Sequence, residues 1–269
     1  MKATDFIMAA GSILAGIKTL ADGFGEIAEA TGRVNFKPEA NGNAPVATSH
    51  HVGRDIKERI HHIKDMTQKG MRSPVVRAFA VRVLSSRCAR CEGCKKLNVV
   101  TDIAKHINPR PGLVRGIVQG NEWVCGNCNT MNAIGKTTWC VPEKNWRSEC
   151  EAIFEAVRSH IRYTRDIEGI DTYQHPVRTL EWGGGDCDDY TIVLASMLKS
   201  VGYPVKARTM EQRRTPNGQR VGQWGHILLI VGVPPQKPGG WLPLDASVDK
   251  PAGWYPPKQM IYRTQDFDL

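Results

Sequence analysis

The chain has 269 residues, 41% of them hydrophobic, with a formal net charge of +9 and a mean hydropathy of −0.35. That length allows one large domain or two smaller ones, each with a full core. No apolar run reaches the ~18–20 residues of a membrane-spanning helix, and the charge is local: residues 54–117 hold 15 Lys and Arg against 5 Asp and Glu.

Residues 1–30 read as a docking helix. Its apolar stretch from Phe6 to Leu20 carries Gly11, Gly16 and Lys18, and no clean small-residue cleavage site follows, so a partner contact is preferred to a signal peptide. Residues 31–52, rich in Asn, Gly and Pro, read as a linker. Residues 53–87 form a basic helical pair. Ile56, Ile60, Ile63 and Met66 mark one apolar face that stops at Gly70, and Ser73-Pro74 opens the second helix as cap and first-turn proline. Val76, Phe79, Ala80, Val83 and Leu84 are its stripe. The basic residues suit either an anionic surface, nucleic acid included, or solvent.

Eight cysteines follow: Cys88, Cys91, Cys94, Cys125, Cys128, Cys140, Cys150 and Cys187. Cys91-x-x-Cys94-x-x-x-Asn98 and Cys125-x-x-Cys128-x-x-x-Asn132 are copies of one pattern. Two such knuckles supply four thiolates, the closed tetrahedral set of one structural Zn2+, and residues 88–135 read as a zinc-ribbon-like module. Cys88 stands three residues before Cys91 and is an alternative to Cys91 or Cys94. The repeat favours Cys91, Cys94, Cys125 and Cys128 as the ligands. The clustering argues for metal and a reducing assembly environment rather than a disulfide framework. Cys140 and Cys150 have no partner spacing, and Cys150 falls on a stripe with Ile153, Phe154, Val157 and Ile161 that predicts burial.

Residues 145–250 read as the catalytic domain. Ser148 and Glu151 predict a capping box opening a helix to Tyr163. Gly183-Gly184-Gly185-Asp186-Cys187-Asp188-Asp189 then precedes an apolar run, Thr191 to Leu198, that reads as a buried helix with Asp186 as its cap. A cysteine at a helix start meets unpaired N–H groups and the positive end of the macrodipole, which favour the thiolate. The flanking carboxylates oppose that, and their net effect is not legible from order alone. Downstream, His226 leads a core strand, Ile227 to Val231, and Asp245 ends a second short strand after the Pro238-Gly239-Gly240 turn. Cys187, His226 and Asp245 therefore form an ordered nucleophile, base and orienter. The backbone N–H of Cys187 is one oxyanion donor, and no Trp or Gln stands at a spacing that assigns a second. Residues 251–269, with Trp254-Tyr255-Pro256-Pro257, read as a C-terminal tail packing across the domain.

The stretch from Ile161 to Asp245 resembles the transglutaminase-like cysteine peptidase superfamily. The matching pieces are Ile161-Arg162-Tyr163, Gly185-Asp186-Cys187-Asp188-Asp189, the helix through Leu198 with its Gly202-Tyr203-Pro204 turn, Gly225-His226 and Trp241 to Asp245. The resemblance implies an α+β fold with a papain/transglutaminase-like core, in which the helix bearing Cys187 packs on an antiparallel sheet. It also implies Cys187 as nucleophile, His226 as general base and acid, and Asp245 as orienter. The helix pair Asp55 to Leu84 ahead of such a domain is similar to transglutaminase-like proteins of tailed bacteriophages, with the zinc module as an insertion.

The resulting expectation is a cysteine hydrolase that cleaves a peptide or isopeptide amide through a thioester. Its substrate class would be peptide or peptidoglycan. It would be tail-associated in the virion and assembled in the host cytoplasm, and would bind other virion proteins through the N-terminal helix and zinc module. The alternatives are a structural virion component with a repurposed peptidase fold and a zinc-dependent nucleic-acid-binding protein, the latter lacking an aromatic platform beyond Trp123.

Overall fold

The computed structural model of the protein describes residues 48–51, 55–101, 114–166, 170–212 and 224–269. The expected docking helix of residues 1–30 and the expected linker up to residue 47 lie outside the described residues. The end of that linker is a strand, β1 (Thr48–His51), antiparallel to the segment Ile170–Tyr173.

Helix α1 (Ile56–Met71) starts at Asp55, whose side chain accepts from the Lys57 N–H at 2.9 Å. It buries Ile60, Ile63, Met66, Thr67 and Gly70. The expected stop at Gly70 is corrected: the helix runs through it. A Cβ there would lie 2.4 Å from Pro176 Cγ and Ser196 Oγ, so the glycine permits close helix packing rather than a break. Helix α2 (Pro74–Leu84) begins at Ser73 with proline in its first turn and buries Val76, Phe79, Ala80 and Val83, as the stripe predicts.

Strands β2 (Arg87–Arg90), β3 (Leu97–Thr101), β4 (Val114–Gln119), β5 (Glu122–Cys125), β6 (Met131–Ala133) and β7 (Thr138–Trp139) make one sheet in the order β6-β5-β4-β3-β2-β7. Only the β3–β4 pairing is parallel. Its small core holds Ala89, Val100 and the fully buried Trp123 beside Cys91 and Cys125.

Helix α3 (Trp146–His160) is capped by Asn145, which accepts from the Ser148 N–H at 3.1 Å. The expected Ser148–Glu151 capping box is therefore corrected. Ser148 is already inside the helix, and Glu151 pairs with Arg147 one turn away at 2.7 Å. The helix also ends at His160, because Arg162–Tyr163 leave it as strand β8. Strand β9 (Ile170–Tyr173) receives β1, helix α4 (Pro176–Trp182) ends on Gly183 at φ 67°, and β10 (Gly184–Gly185) runs parallel to β8.

Helix α5 (Cys187–Ser200) follows at once. It buries Ile192, Val193, Leu194, Ala195, Met197 and Leu198. Helices α1, α2, α3 and α4 pack around it, and it also contacts β11 (Val205–Gln212) and β12 (Trp224–Val233). With β13 (Gly240–Leu244) and β14 (Ile261–Asp268), these form an antiparallel sheet in the order β13-β12-β11-β14. The protein is thus mixed α+β, as expected. The segment 251–269 is more than a tail: its prolines stop at Pro257, and the proline-free run after them pairs with β11 along its length.

Candidate active site and four-cysteine cluster

The glycine-acid-cysteine run has a local physical reason at each position. Gly185 is required because a Cβ would lie 2.6 Å from the Asp189 Cβ. Asp186, in extended conformation, accepts from the N–H groups of Asp188 (3.0 Å) and Asp189 (3.4 Å), while Asp189 accepts from the Asp186 N–H at 3.4 Å. This is a reciprocal capping box built on the cap expected at Asp186. Asp189 is fully buried and also accepts from the backbone and side chain of Gln174, at 2.9 and 2.8 Å. Cys187 is thereby fixed as the first residue of α5, partly buried, with its thiol 3.8 Å from Asp188 Oδ1.

His226 lies on β12 and Asp245 directly follows β13, on neighbouring antiparallel strands. His226 Nε2 is 2.6 Å from Asp245 Oδ2, and the other oxygen of this buried carboxylate accepts from the Ser247 hydroxyl at 2.7 Å. With Asp245 accepting, Nε2 carries the proton and Nδ1 is left as the acceptor nitrogen. Cys187 and His226 line one cavity of about 30 Å³, together with Asp188, Thr209, Gly225 and Ile227. Its remaining wall is Ile56, Arg59, Ile60 and Ile63 of α1. The cavity has room for a water.

The electrostatic sign, undecided in the sequence, follows from this packing. Burial pushes the Cys187 thiol well above its ordinary value, and Asp188 and Asp186 push the same way. The backbone N–H of Ile227 and the Arg59 guanidinium oppose them. The carboxyls are raised as well, each chiefly by burial: Asp188 to about 6, Asp189 to about 7 and Asp186 to about 8. Burial and the flanking carboxylates therefore favour the thiol form of Cys187 in the cavity that it shares with His226.

Arg59 is the site residue that the sequence reading missed. Its Nη2 lies 3.0 Å from Asp171 Oδ2 and 3.6 Å from Asp188 Oδ2, and its Nε donates to the Tyr173 hydroxyl at 3.3 Å. The available signal was a cation directly beside the apolar stripe of Ile56, Ile60 and Ile63, read there as one of the basic residues suited to an anionic surface or to solvent.

The structure brings Cys91, Cys94, Cys125 and Cys128 together, all four sulfurs lying within 4.8 Å of one another. The Cys91–Cys128 and Cys94–Cys125 separations are 3.5 and 3.6 Å. Four sulfurs about 2.3 Å from a central Zn2+ would stand roughly 3.8 Å apart, so the donor set fits that ion. The two knuckles repeat in three dimensions. The N–H of Lys95 donates to the Cys91 carbonyl at 3.0 Å as Asn129 does to Cys125 at 2.9 Å, and Lys95 and Asn129 share φ near 59° and 58°. Asn98 and Asn132, the last residue of each copy, each brace a knuckle carbonyl, at 3.0 and 2.7 Å. The N–H of Asn127 and the amide of Asn132 also point at cysteine sulfurs, as N–H groups do around bound thiolates.

Two cysteine readings are corrected. Cys88 is not an alternative ligand, and Cys140 is not without a partner, because the two are disulfide-bonded. The β2–β7 pairing sets Cys88 opposite Thr138, two residues before Cys140, which no local spacing discloses. The argument against disulfides fails for this pair. Cys150 is fully buried as its stripe predicts, and burial pushes its thiol up to about 12.

No curated protein and no solved structure matches the chain. A family model described as the transglutaminase-like superfamily matches residues 137–246, a span that includes Cys187, His226 and Asp245 and excludes α1 and the four-cysteine cluster. That superfamily includes cysteine peptidases and transglutaminases. Residues 137–246 of this chain are a transglutaminase-like superfamily domain.

Proposed function

We propose that the protein is a cysteine hydrolase that cleaves a peptide or isopeptide amide. The observation that carries this reading is that His226, bonded to Asp245, lines one cavity with a cysteine at the start of a helix. His226 Nδ1 takes the proton of the Cys187 thiol as the sulfur attacks the amide carbonyl. Asp245 holds the Nε2 proton and stabilises the imidazolium that forms. The backbone N–H of Cys187, free at the helix start, faces the developing oxyanion. His226 returns its proton to the departing amine as the C–N bond breaks, leaving a thioester. Water, deprotonated by His226, then releases the carboxylic acid and restores the thiol. Because burial keeps the thiol protonated at rest, His226 acts as a base during attack rather than beforehand.

Hydrolysis is preferred to cross-linking on the resemblance to transglutaminase-like cysteine peptidases, and the cavity has room for a water. A tail-associated setting with a peptidoglycan-type substrate rests on the resemblance of the helix pair alone. The test is site-resolved alkylation of the native full chain. Cys187 should react with an iodoacetamide-type probe, and much more slowly after His226→Ala. Equal labelling in both would overturn the mechanism and favour a structural component with a repurposed fold.

We also propose that Cys91, Cys94, Cys125 and Cys128 hold one structural Zn2+. Four thiolates leave no open coordination position, so the ion would supply folding energy to a sheet whose own core is small. One zinc per chain by elemental analysis, kept in Cys88→Ser and lost in Cys91→Ser, is the expected result. Salt-sensitive nucleic-acid binding by the full chain that disappears with the zinc would instead favour the nucleic-acid reading.

A further inference from the structure

The family domain does not contain everything that surrounds the nucleophile. Helix α1, outside residues 137–246, supplies four of the residues lining the cavity. Three of them are apolar, and the fourth is Arg59. Its guanidinium is anchored by Asp171 and by the Tyr173 hydroxyl, both on β9, and the Tyr173 hydroxyl itself donates to Asp171 at 3.3 Å. Thus held, Arg59 lies 3.6 Å from Asp188 Oδ2, while the other oxygen of the same carboxylate faces the Cys187 thiol at 3.8 Å. The Asp188 side chain is only 6% exposed, so solvent does little to screen its charge from the sulfur.

We propose that the catalytic centre extends into α1. Arg59 acts there as a positioning residue that fixes the Asp188 carboxylate and cancels its charge beside the Cys187 nucleophile. This deepens the hydrolase reading and rests on it. Asp186 and Asp188 flank the nucleophile on its own helix, Asp166 and Asp171 act on Asp188 from the preceding segment, Tyr163 faces Cys187 from β8, and His226 faces it from β12. Among the described residues, the Arg59 side chain is a cation that acts on the Cys187 thiol, and Arg165 bonds Tyr163 on β8. The Arg59 cation comes from a residue 128 positions before the cysteine, on an element that the domain model does not include.

The experiment is the pH profile of Cys187 alkylation, read site by site by mass spectrometry on the intact full chain. Removing a charge this close to a buried thiol should move the profile by about one pH unit. Arg59→Gln should move it upward, Arg59→Lys should restore much of the loss, and Asp188→Asn should move it downward, with faster alkylation at neutral pH. The double variant should fall near wild type, because the two charges are removed together. A structural role for Arg59 gives a different pattern: both single variants slow the reaction, and the double is slower still. That pattern, or an Asp188→Asn profile that fails to move down, overturns the proposal, and Asp188→Asn decides it even if Arg59→Gln does not fold. The His226→Ala control separates the two readings. Slowing by His226→Ala beside unmoved Arg59 and Asp188 profiles overturns only the role of Arg59. No slowing by His226→Ala overturns the hydrolase and this proposal with it.

Discussion

Replacing Asp245 by Asn tests whether the histidine–carboxylate pair does chemistry. The substitution keeps size and shape, and the side-chain oxygen can still accept from the Ser247 hydroxyl, now at 2.7 Å. What it removes is the charge 2.6 Å from His226 Nε2, on a side chain that is 3% exposed. A hydrogen bond to a charged group in such a place is worth about 1.5–3 kcal/mol. At roughly 1.4 kcal/mol per tenfold, the loss corresponds to about 10- to 150-fold in a step that builds an imidazolium. The amide also offers its NH2 to the ring, which favours the tautomer with hydrogen on Nδ1, and that nitrogen then cannot take the thiol proton. The assay is the alkylation rate of Cys187 near neutral pH in wild type, Asp245→Asn and His226→Ala, with thermal unfolding as the control for folding. The expected order is wild type fastest, Asp245→Asn slower by that factor and His226→Ala at least as slow. An Asp245→Asn protein that melts and alkylates like wild type would refute the reasoning, and the pair would then be structural.

Zinc removal by a chelator should unfold the six-stranded sheet first, seen as a separate low-temperature transition that returned zinc reverses. With the cluster closed, the Cys88–Cys140 bond adds a loop of only roughly 15 residues, so Cys140→Ser should cost about 3 kcal/mol by denaturant unfolding and leave zinc content unchanged. The three raised carboxyls predict a pH dependence of stability. Each has a folded value above its unfolded one, so its contribution is full below about pH 4 and is lost as pH rises through about 6 to 8. The melting temperature should therefore fall between pH 5 and pH 8, and Asp186→Asn should flatten that fall; an unchanged slope would count against burial as the cause. Gly70→Ala should destabilise by about 1–3 kcal/mol, since its Cβ would overlap Pro176 and Ser196.

What was legible in the sequence is what short-range physics decides. The Asp186–Asp189 capping box and the two C-x-x-C-x-x-x-N knuckles are complete within a few residues, so spacing alone discloses them. The stripes of α1 and α2 are legible for the same reason, because a 3.6-residue period places one apolar face against the core. Where local signals competed, the reading slipped. Asn145 took the cap assigned to Ser148, and Gly70 proved to be a packing site rather than a stop. Tertiary structure decided the rest. The Cys88–Cys140 bond depends on which strand lies beside β2, and the pairing of β14 with β11 depends on an edge that the sheet leaves open. The meeting of Arg59 with Asp188 depends on α1 crossing the start of α5. Burial settled the last question, the protonation of the Cys187 thiol. Sequence order places carboxylates and a helix start next to the sulfur, but only the packed surroundings determine how little water remains to hold its charge.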